Sequence, residues 1–204
     1  MINNKFKIFI IIFSFFYTIN ANAIEQFNFD VTEIEITNNG NVFKGLKRGV
    51  VTTNDGIELK ANEFEYNKIS NILKANGDVK VTDNINNYII DSEEITFLKN
   101  KNIIIATGNV KVVDDINNYI INSQKITYYK DKNFIITENK SSAESLDNNI
   151  FIKGKTFEYY KSLNKIIVAG NAEINDRNNN NKVFSNKITY FKNEEKFITN
   201  GKTK

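Results

Sequence analysis

Apolar and polar residues alternate along most of this chain, in runs of about ten residues separated by polar turns. One run places five small or apolar residues on a single face: Leu73, Ala75, Gly77, Val79 and Val81. Alternation with a period of two predicts a β-strand that has one buried face and one solvated face. The spacing typical of a helix occurs nowhere beyond the first 23 residues, so the pattern indicates an all-β fold.

A second kind of run changes its phase part-way along. Tyr88 and Ile90 occupy even-numbered positions, whereas Ile95 and Phe97 occupy odd-numbered ones. A straight strand would point these two pairs to opposite faces, so we expect a bulge or corner near Ser92. Because the turns between successive runs are short, neighbouring strands must pair antiparallel. These features predict a meander of roughly ten long, bent strands.

The same pattern is repeated about five times with a period of 31 residues. One apolar column of the repeat is formed by Phe64, Ile95, Ile126, Phe157 and Ile188. A period of this length indicates a supersecondary unit that is stacked on copies of itself. We therefore expect a single domain over residues 24–204, with the last repeat incomplete. Its predicted fold is a bent antiparallel β-jelly roll, built as a solenoid-like stack of 31-residue repeats.

The inward-facing apolar residues have two interpretations. If the two halves of the bent strands pack fully against each other, these residues form an ordinary core, which is the default for any one of them. If the halves stay splayed, the same residues line an apolar groove that suits acyl chains. The candidates for groove or core are Phe64, Tyr66, Leu73, Val79, Val81, Tyr88, Ile90, Ile95, Phe97, Ile104, Val110, Val112, Tyr119, Ile121, Ile126, Tyr128, Ile135, Phe157, Tyr159, Ile166, Ile188 and Tyr190.

The first 23 residues have the features of a cleavable secretory signal peptide. Lys5 and Lys7 precede a short apolar segment, and Ala21-Asn22-Ala23 is an A-x-A cleavage site. We therefore expect export to the periplasm and a mature chain that begins at Ile24. Loss of the two lysines reduces the 27 basic residues to 25, against 24 acidic ones. So small an excess, spread through the turns, argues against a nucleic-acid partner.

Residues that support catalysis or metal binding are scarce. The chain has no Cys and no His, which excludes a disulfide scaffold, Cys or His catalysis, and metal sites built from those residues. The adjacent pair Glu93 and Glu94 would point to opposite faces of a strand and cannot act as an acid–base dyad. We therefore expect a protein that is not an enzyme and needs neither a cofactor nor a metal.

Several motifs resemble the OstA-like lipopolysaccharide-transport proteins. The resemblance rests on the segment Gly40 to Gly45 and on repeats of the form apolar-x-Ala-x-Gly-x-Val-x-Val, as at Asn76 to Val81 and Thr107 to Val112. It covers nearly all of the predicted mature chain. The resemblance implies a jelly roll whose groove shields the acyl chains of lipid A in the periplasm. It also implies that such jelly rolls stack edge to edge between the two membranes, so that contact with a membrane is indirect or at the outer membrane.

The resemblance further implies partners at the sheet edges. Lipopolysaccharide would be the ligand, and other jelly-roll transport proteins or a second copy of this chain would add strands at the two ends. The candidate edge residues are Phe27, Phe29, Val31, Phe197 and Thr199. The last repeat stops before its second half, which predicts either completion by another chain or a longer native protein.

Other classes of protein remain open at this point. The chain could be the N-terminal periplasmic part of the outer-membrane lipopolysaccharide-assembly protein rather than a free bridging protein. A repetitive surface adhesin would share the export signal and the repeats but would not bind lipid. An outer-membrane β-barrel also has alternating strands of this length, although the bend near Ser92 would break an outward apolar band.

Overall fold

The structure of the protein, a computed structural model, describes residues 27–204, so the predicted signal peptide lies outside the described residues. All 15 strands of this part belong to one antiparallel sheet. The strands are β1 (Asn28–Thr37), β2 (Val42–Thr52), β3 (Ile57–Ala61), β4 (Glu63–Asn67), β5 (Ile72–Asp83), β6 (Tyr88–Leu98), β7 (Ile103–Asp114), β8 (Tyr119–Tyr129), β9 (Phe134–Glu138), β10 (Ser141–Ser145), β11 (Ile150–Gly154), β12 (Thr156–Tyr160), β13 (Lys165–Asp176), β14 (Asn181–Phe191) and β15 (Lys196–Asn200). Short 3-10 turns occupy Lys99–Lys101, Lys130–Lys132, Lys161–Leu163 and Lys192–Glu194.

The chain is a meander in which each pass lies beside the one before it. Three passes are interrupted at a corner and count as two strands each, namely β3 with β4, β9 with β10, and β11 with β12. Joining these pairs reduces the 15 strands to 12 passes, slightly more than the sequence pattern predicts. The other long strands cross the corner with a shift of register, as between Asn76 and Val79 of β5. Ser92 lies opposite Val79 at this shift, so the bend is where the phase change predicts it.

Glycine allows the strands to turn these corners. Gly108 has a φ of 79°, in the left-handed region that side chains disfavour, and a Cβ there would lie 2.7 Å from the Cβ of Glu93. Asn139 takes the equivalent place in the next repeat with a φ of 62°, and Lys140 follows with a φ of 46°. The pass is interrupted at these two residues, which separate β9 from β10.

The corners divide the sheet into two halves that face each other. The Asp-turn half contains the strand segments that end at the Asp- and Asn-rich turns, including β3, β10 and β11. The Lys-turn half contains those that end at the Lys-rich turns, including β4, β9, β12 and β15. Tyr88 of the Asp-turn half packs edge-on against Tyr128 of the Lys-turn half, with ring centroids 4.9 Å apart. Tyr119 and Tyr159 repeat this contact, with ring centroids 5.2 Å apart. Because the two halves of the bent sheet face each other in this way, the fold is a bent antiparallel β-jelly roll.

Deletion of one period should leave a shorter folded protein. Removal of Ile95 to Lys125 joins equivalent points of β6 and β8. In the shortened chain Tyr159 follows Asp83 by 45 residues. Tyr128 follows Asp83 by the same number in the present chain, so Tyr159 can replace it in the contact with Asp83. Each pass touches mainly its neighbours, so the remaining stack keeps its pairing. Far-ultraviolet circular dichroism and a cooperative thermal transition measure the result.

A deletion one residue shorter, Ile95 to Gln124, is the matched control for this experiment. It shifts the register by one residue and turns the following apolar positions outward, so this variant should not fold. Equal behaviour of the two deletions would contradict a stack held in register by its buried face.

Candidate functional site

The interior of the jelly roll is the first candidate site, because all 22 predicted groove or core residues lie in it. None of them exposes more than 6% of its surface, and Tyr128, Tyr159 and Ile126 are fully buried. The two halves therefore meet and enclose a packed apolar core in this structure. An open trough, the other interpretation of these residues, would require the halves to separate.

Tyrosine–aspartate contacts close the interior on the side opposite the corners. The Tyr128 hydroxyl donates to Oδ2 of Asp83 at 2.8 Å, and the Tyr159 hydroxyl donates to Oδ2 of Asp114 at 2.7 Å. Both carboxylates are 1% exposed. Burial, together with the nearby carboxylates, raises the pKa of both tyrosines well above the usual value, so both hydroxyls stay protonated as donors.

Lysines reach across the same line of contact. The Lys161 ammonium lies 2.6 Å from Oδ1 of Asp114, and their side chains are 11% and 1% exposed. The same ammonium lies 4.2 Å from the centre of the Tyr88 ring. Removal of one partner of this buried ion pair would leave an uncompensated charge, so substitution of either residue alone should be strongly destabilising.

The line of contact extends along several passes, and we call it the seam. Lys99 pairs with Asp55 at 2.6 Å, and Lys130 approaches the same carboxylate at 3.5 Å. Lys192 pairs with Asp147 at 2.7 Å and also donates to the backbone carbonyl of Asn117 in the Asp-turn half. The seam consists of Asp55, Asp83, Asp114 and Asp147 from the Asp-turn half, and Lys99, Lys130, Lys161, Lys192, Tyr128 and Tyr159 from the Lys-turn half.

The seam should weaken in acid at Asp55. Burial alone would raise the pKa of Asp55, but hydrogen bonds from Lys99 and Thr53 and the charges of Lys99 and Lys130 lower it to about 2. Because the folded pKa lies below the unfolded value of 3.8, the stabilisation is present above pH 4 and is lost as the pH falls towards 2. After allowance for solvent screening it amounts to about 1–2 kcal/mol.

Urea unfolding of Asp55→Asn and the parent protein at pH 6 and pH 2.5 tests this expectation. Between pH 6 and pH 2.5 the free energy of unfolding of the parent should fall by about 1–2 kcal/mol more than that of Asp55→Asn. Asp91→Asn, which removes an exposed carboxylate paired with Lys80 at 3.1 Å, serves as the control. If the free energy of unfolding falls equally in Asp55→Asn and Asp91→Asn between the two pH values, Asp55 contributes no more to the acid sensitivity than an exposed ion pair does.

The seam has one weak step, in the most diverged repeat. Successive tyrosines contact a residue 45 positions earlier, which is Asp83 for Tyr128 and Asp114 for Tyr159. The same spacing gives Tyr190 a serine, Ser145, in place of an aspartate. The Tyr190 hydroxyl is buried and has no hydrogen-bond partner among the described residues.

The comparison with protein families agrees with the sequence resemblance. The model of the family described as LptA/(LptD N-terminal domain) LPS transport protein matches residues 89–196, more than half of the chain. The chain belongs to this family. Among solved structures, LptH from Pseudomonas aeruginosa, described as the LptA-homologous periplasmic component of the lipopolysaccharide transport device, is 17% identical with a TM-score of 0.31. That match covers 72% of this chain and 82% of LptH. Comparison with curated proteins gave no match.

This LptA/LptD-family jelly roll has an exposed strand at each end of the described sheet. β1 pairs only with β2, and β15 pairs only with β14. Of the predicted edge residues, Phe29, Val31 and Phe197 are partly buried, Thr199 is partly exposed, and Phe27 is 3% exposed. The Phe27 ring packs edge-on against Tyr66 at 4.7 Å, so its side chain belongs to the core and not to the edge surface.

The described part of this family member has no sign of metal chemistry. Within residues 27–204, no group of three or more acidic, His or Cys side chains could hold a metal ion. In the same range, no helix is long and apolar enough to cross a membrane.

Sequence reasoning missed the seam, although a signal for it exists. The lysines at 99, 130, 161 and 192 are spaced by 31 residues, and each lies two positions after an aromatic residue of the repeat, namely Phe97, Tyr128, Tyr159 and Tyr190. Asp83 and Asp114 have the same spacing. From the sequence alone these charges resemble solvated turn residues, because alternation within a strand carries no information about contacts between the two halves.

Proposed function

We propose that the protein binds the acyl chains of lipopolysaccharide inside the jelly roll and carries them through the periplasm without catalysing a reaction. The observation that carries the proposal is the apolar interior, which continues through successive passes of a member of a lipopolysaccharide transport family. Burial of an acyl chain there would contribute about 0.8 kcal/mol per CH₂ group, so several chains would bind firmly without a charged contact.

The two halves are packed against each other, so binding requires them to part. The buried tyrosines and the ion pairs of the seam block access from the side opposite the corners. Separation of the halves along the seam would expose Tyr128, Tyr159 and the apolar residues of the interior together. The closed form is then the resting state, and the apparent affinity depends on the fraction of molecules that open.

The exposed strands would carry the chain's contacts with its partners. A further jelly roll of the transport system, or a second copy of this chain, would add a strand to β1 or to β15 and extend the interior across the junction. Exposed apolar side chains on these strands, such as Ile34 and Ile36 of β1 at 46% and 55%, support an interface there. The proposal holds equally for a free bridging protein and for the N-terminal domain of a larger one.

Photo-crosslinking from position 128 tests the proposal. A photoreactive phenylalanine analogue replaces Tyr128, whose side chain is fully buried in the Lys-turn half. Irradiated cells should yield a lipopolysaccharide adduct. The same analogue at Asn122, an exposed position on the outer face of β8, should yield none. A folded, exported protein that gives no adduct at position 128 would leave the interior as an ordinary core and overturn the proposal.

A further inference from the structure

A polar cleft of about 210 Å³ lies at the weak step of the seam, between the two halves. The Asp-turn half contributes Asp147 and Asp176, and the Lys-turn half contributes Tyr190, Glu195 and Phe197. Its volume is below the roughly 300–1,000 Å³ typical of sites for drug-sized ligands, so it suits a single ring or a short group. The apolar interior continues directly behind it, because Tyr190 also belongs to the buried core.

The charges of the cleft select against anions. Three carboxylates line it, and among residues 27–204 only Asp147 forms an ion pair, with Lys192 at 2.7 Å. Asp176 accepts hydrogen bonds from the side chain and backbone of Asn179, which lower its pKa and keep it ionised. Glu195 accepts only a 3.3 Å bond from the Asn148 amide. A phosphate group would meet net negative charge here, whereas hydroxyl and ammonium groups would find acceptors.

Tyr190 is an independent observation that points to a polar ligand in the cleft. It is 1% exposed, lines the cleft, and its hydroxyl has no hydrogen-bond partner among residues 27–204. Burial, followed by the charges of Glu195, Asp147 and Asp176, raises its pKa to about 12, so it is a protonated donor at neutral pH. A buried donor without a partner is destabilising, and a hydrogen bond to a ligand oxygen would relieve that cost.

The other buried tyrosines with unpaired hydroxyls differ from Tyr190 in their surroundings. The rings of Tyr88 and Tyr119 are covered by the ammonium groups of Lys161 and Lys192, at 4.2 and 4.8 Å. Within the described residues no lysine covers the Tyr190 ring, which packs instead against Phe197 with centroids 5.7 Å apart. Phe197 also lines the cleft and offers an apolar surface to the carbon face of a ring.

We propose that this cleft binds one phosphate-free sugar ring through its hydroxyl or amino groups. The carboxylates accept from the sugar, the Asn148 and Asn179 side chains offer further amide groups, and Tyr190 donates to a ring or hydroxyl oxygen. The assignment rests on the proposed function in one respect. The sugar would belong to the head of the lipopolysaccharide whose acyl chains occupy the interior behind the cleft.

Titration of the whole protein with free sugars, followed by NMR of the tyrosine ring and asparagine amide signals, tests the site without any lipid. Glucosamine and glucose should give saturable shifts at Tyr190, Asn148 and Asn179, and glucose 6-phosphate should bind at least threefold more weakly. Tyr190→Phe should weaken glucosamine binding about five- to tenfold, as expected for one hydrogen bond. No saturable shift, equal or tighter binding of the phosphate, or unchanged affinity in Tyr190→Phe would each overturn the assignment.

Two controls keep the result interpretable. Tyr190→Phe removes a buried hydroxyl without a hydrogen-bond partner among the described residues, so its melting temperature should be no lower than that of the parent, and weakened binding cannot be attributed to unfolding. The adduct at position 128 and the sugar titration, both measured in protein that keeps Tyr190, separate the two proposals. A persistent lipid adduct with no sugar binding would refute the sugar site alone, whereas sugar binding with no adduct would refute the acyl-chain proposal alone.

Discussion

Ile126→Asp is expected to leave the protein unfolded under native conditions. Ile126 is fully buried in β8, where it pairs with Ala106 on one side and Thr137 on the other. Aspartate at this place loses the packing of the side chain, which costs about 2–5 kcal/mol, and buries a carboxylate that has no cation beside it. The sum is comparable to the roughly 5–15 kcal/mol stability of a whole domain.

Urea denaturation followed by circular dichroism measures this effect, with Asn122→Asp as the matched control. Asn122 lies in the same strand but is exposed on the outer face, so the same new charge should change the unfolding free energy by less than about 0.5 kcal/mol. If Ile126→Asp kept a cooperative transition within about 1 kcal/mol of the parent, the assignment of the inner face would be wrong.

The sequence predicts the strands and their inner face well, because alternation leaves little freedom. A one-residue slip in the pairing of a strand such as β7 would turn Ile104, Val110 and Val112 to solvent. The pattern of apolar residues therefore specifies the register. The phase change around Ser92 carries the same information about the corner, since apolar residues on both sides of it must point inward. The strand class and the jelly roll follow from these local constraints.

The closed state of the interior could not be predicted in the same way. Alternation says that Tyr128 points inward, but it does not say how far the opposite half lies from it. That distance is fixed by contacts between residues 45 positions apart, such as Tyr128 with Asp83, which no single strand displays. The cleft beside Tyr190 could not be predicted for the same reason, because its lining joins residues of the two halves, such as Asp147 and Glu195.

Tying the two halves together is expected to abolish the lipopolysaccharide adduct at position 128. The natural chain has no cysteine, so Asp114→Cys with Lys161→Cys introduces one pair of thiols, at the place of a 2.6 Å ion pair that spans the seam. A short bis-maleimide linker between them keeps the halves from parting. The control pair, Lys80→Cys with Asp91→Cys, replaces a 3.1 Å ion pair between neighbouring strands of the Asp-turn half. Linkage of the control pair leaves the seam free to open.

The comparison of linked and unlinked protein decides whether opening is required. Without the linker, Asp114→Cys with Lys161→Cys removes the carboxylate that accepts from the Tyr159 hydroxyl across the seam, so the open fraction and the adduct yield should be at least those of the parent. With the linker the open fraction approaches zero, and since apparent affinity scales with that fraction, the adduct should disappear. An adduct that survives linkage at the level of the linked control would mean that acyl chains reach the interior without opening of the seam, through an end of the stack.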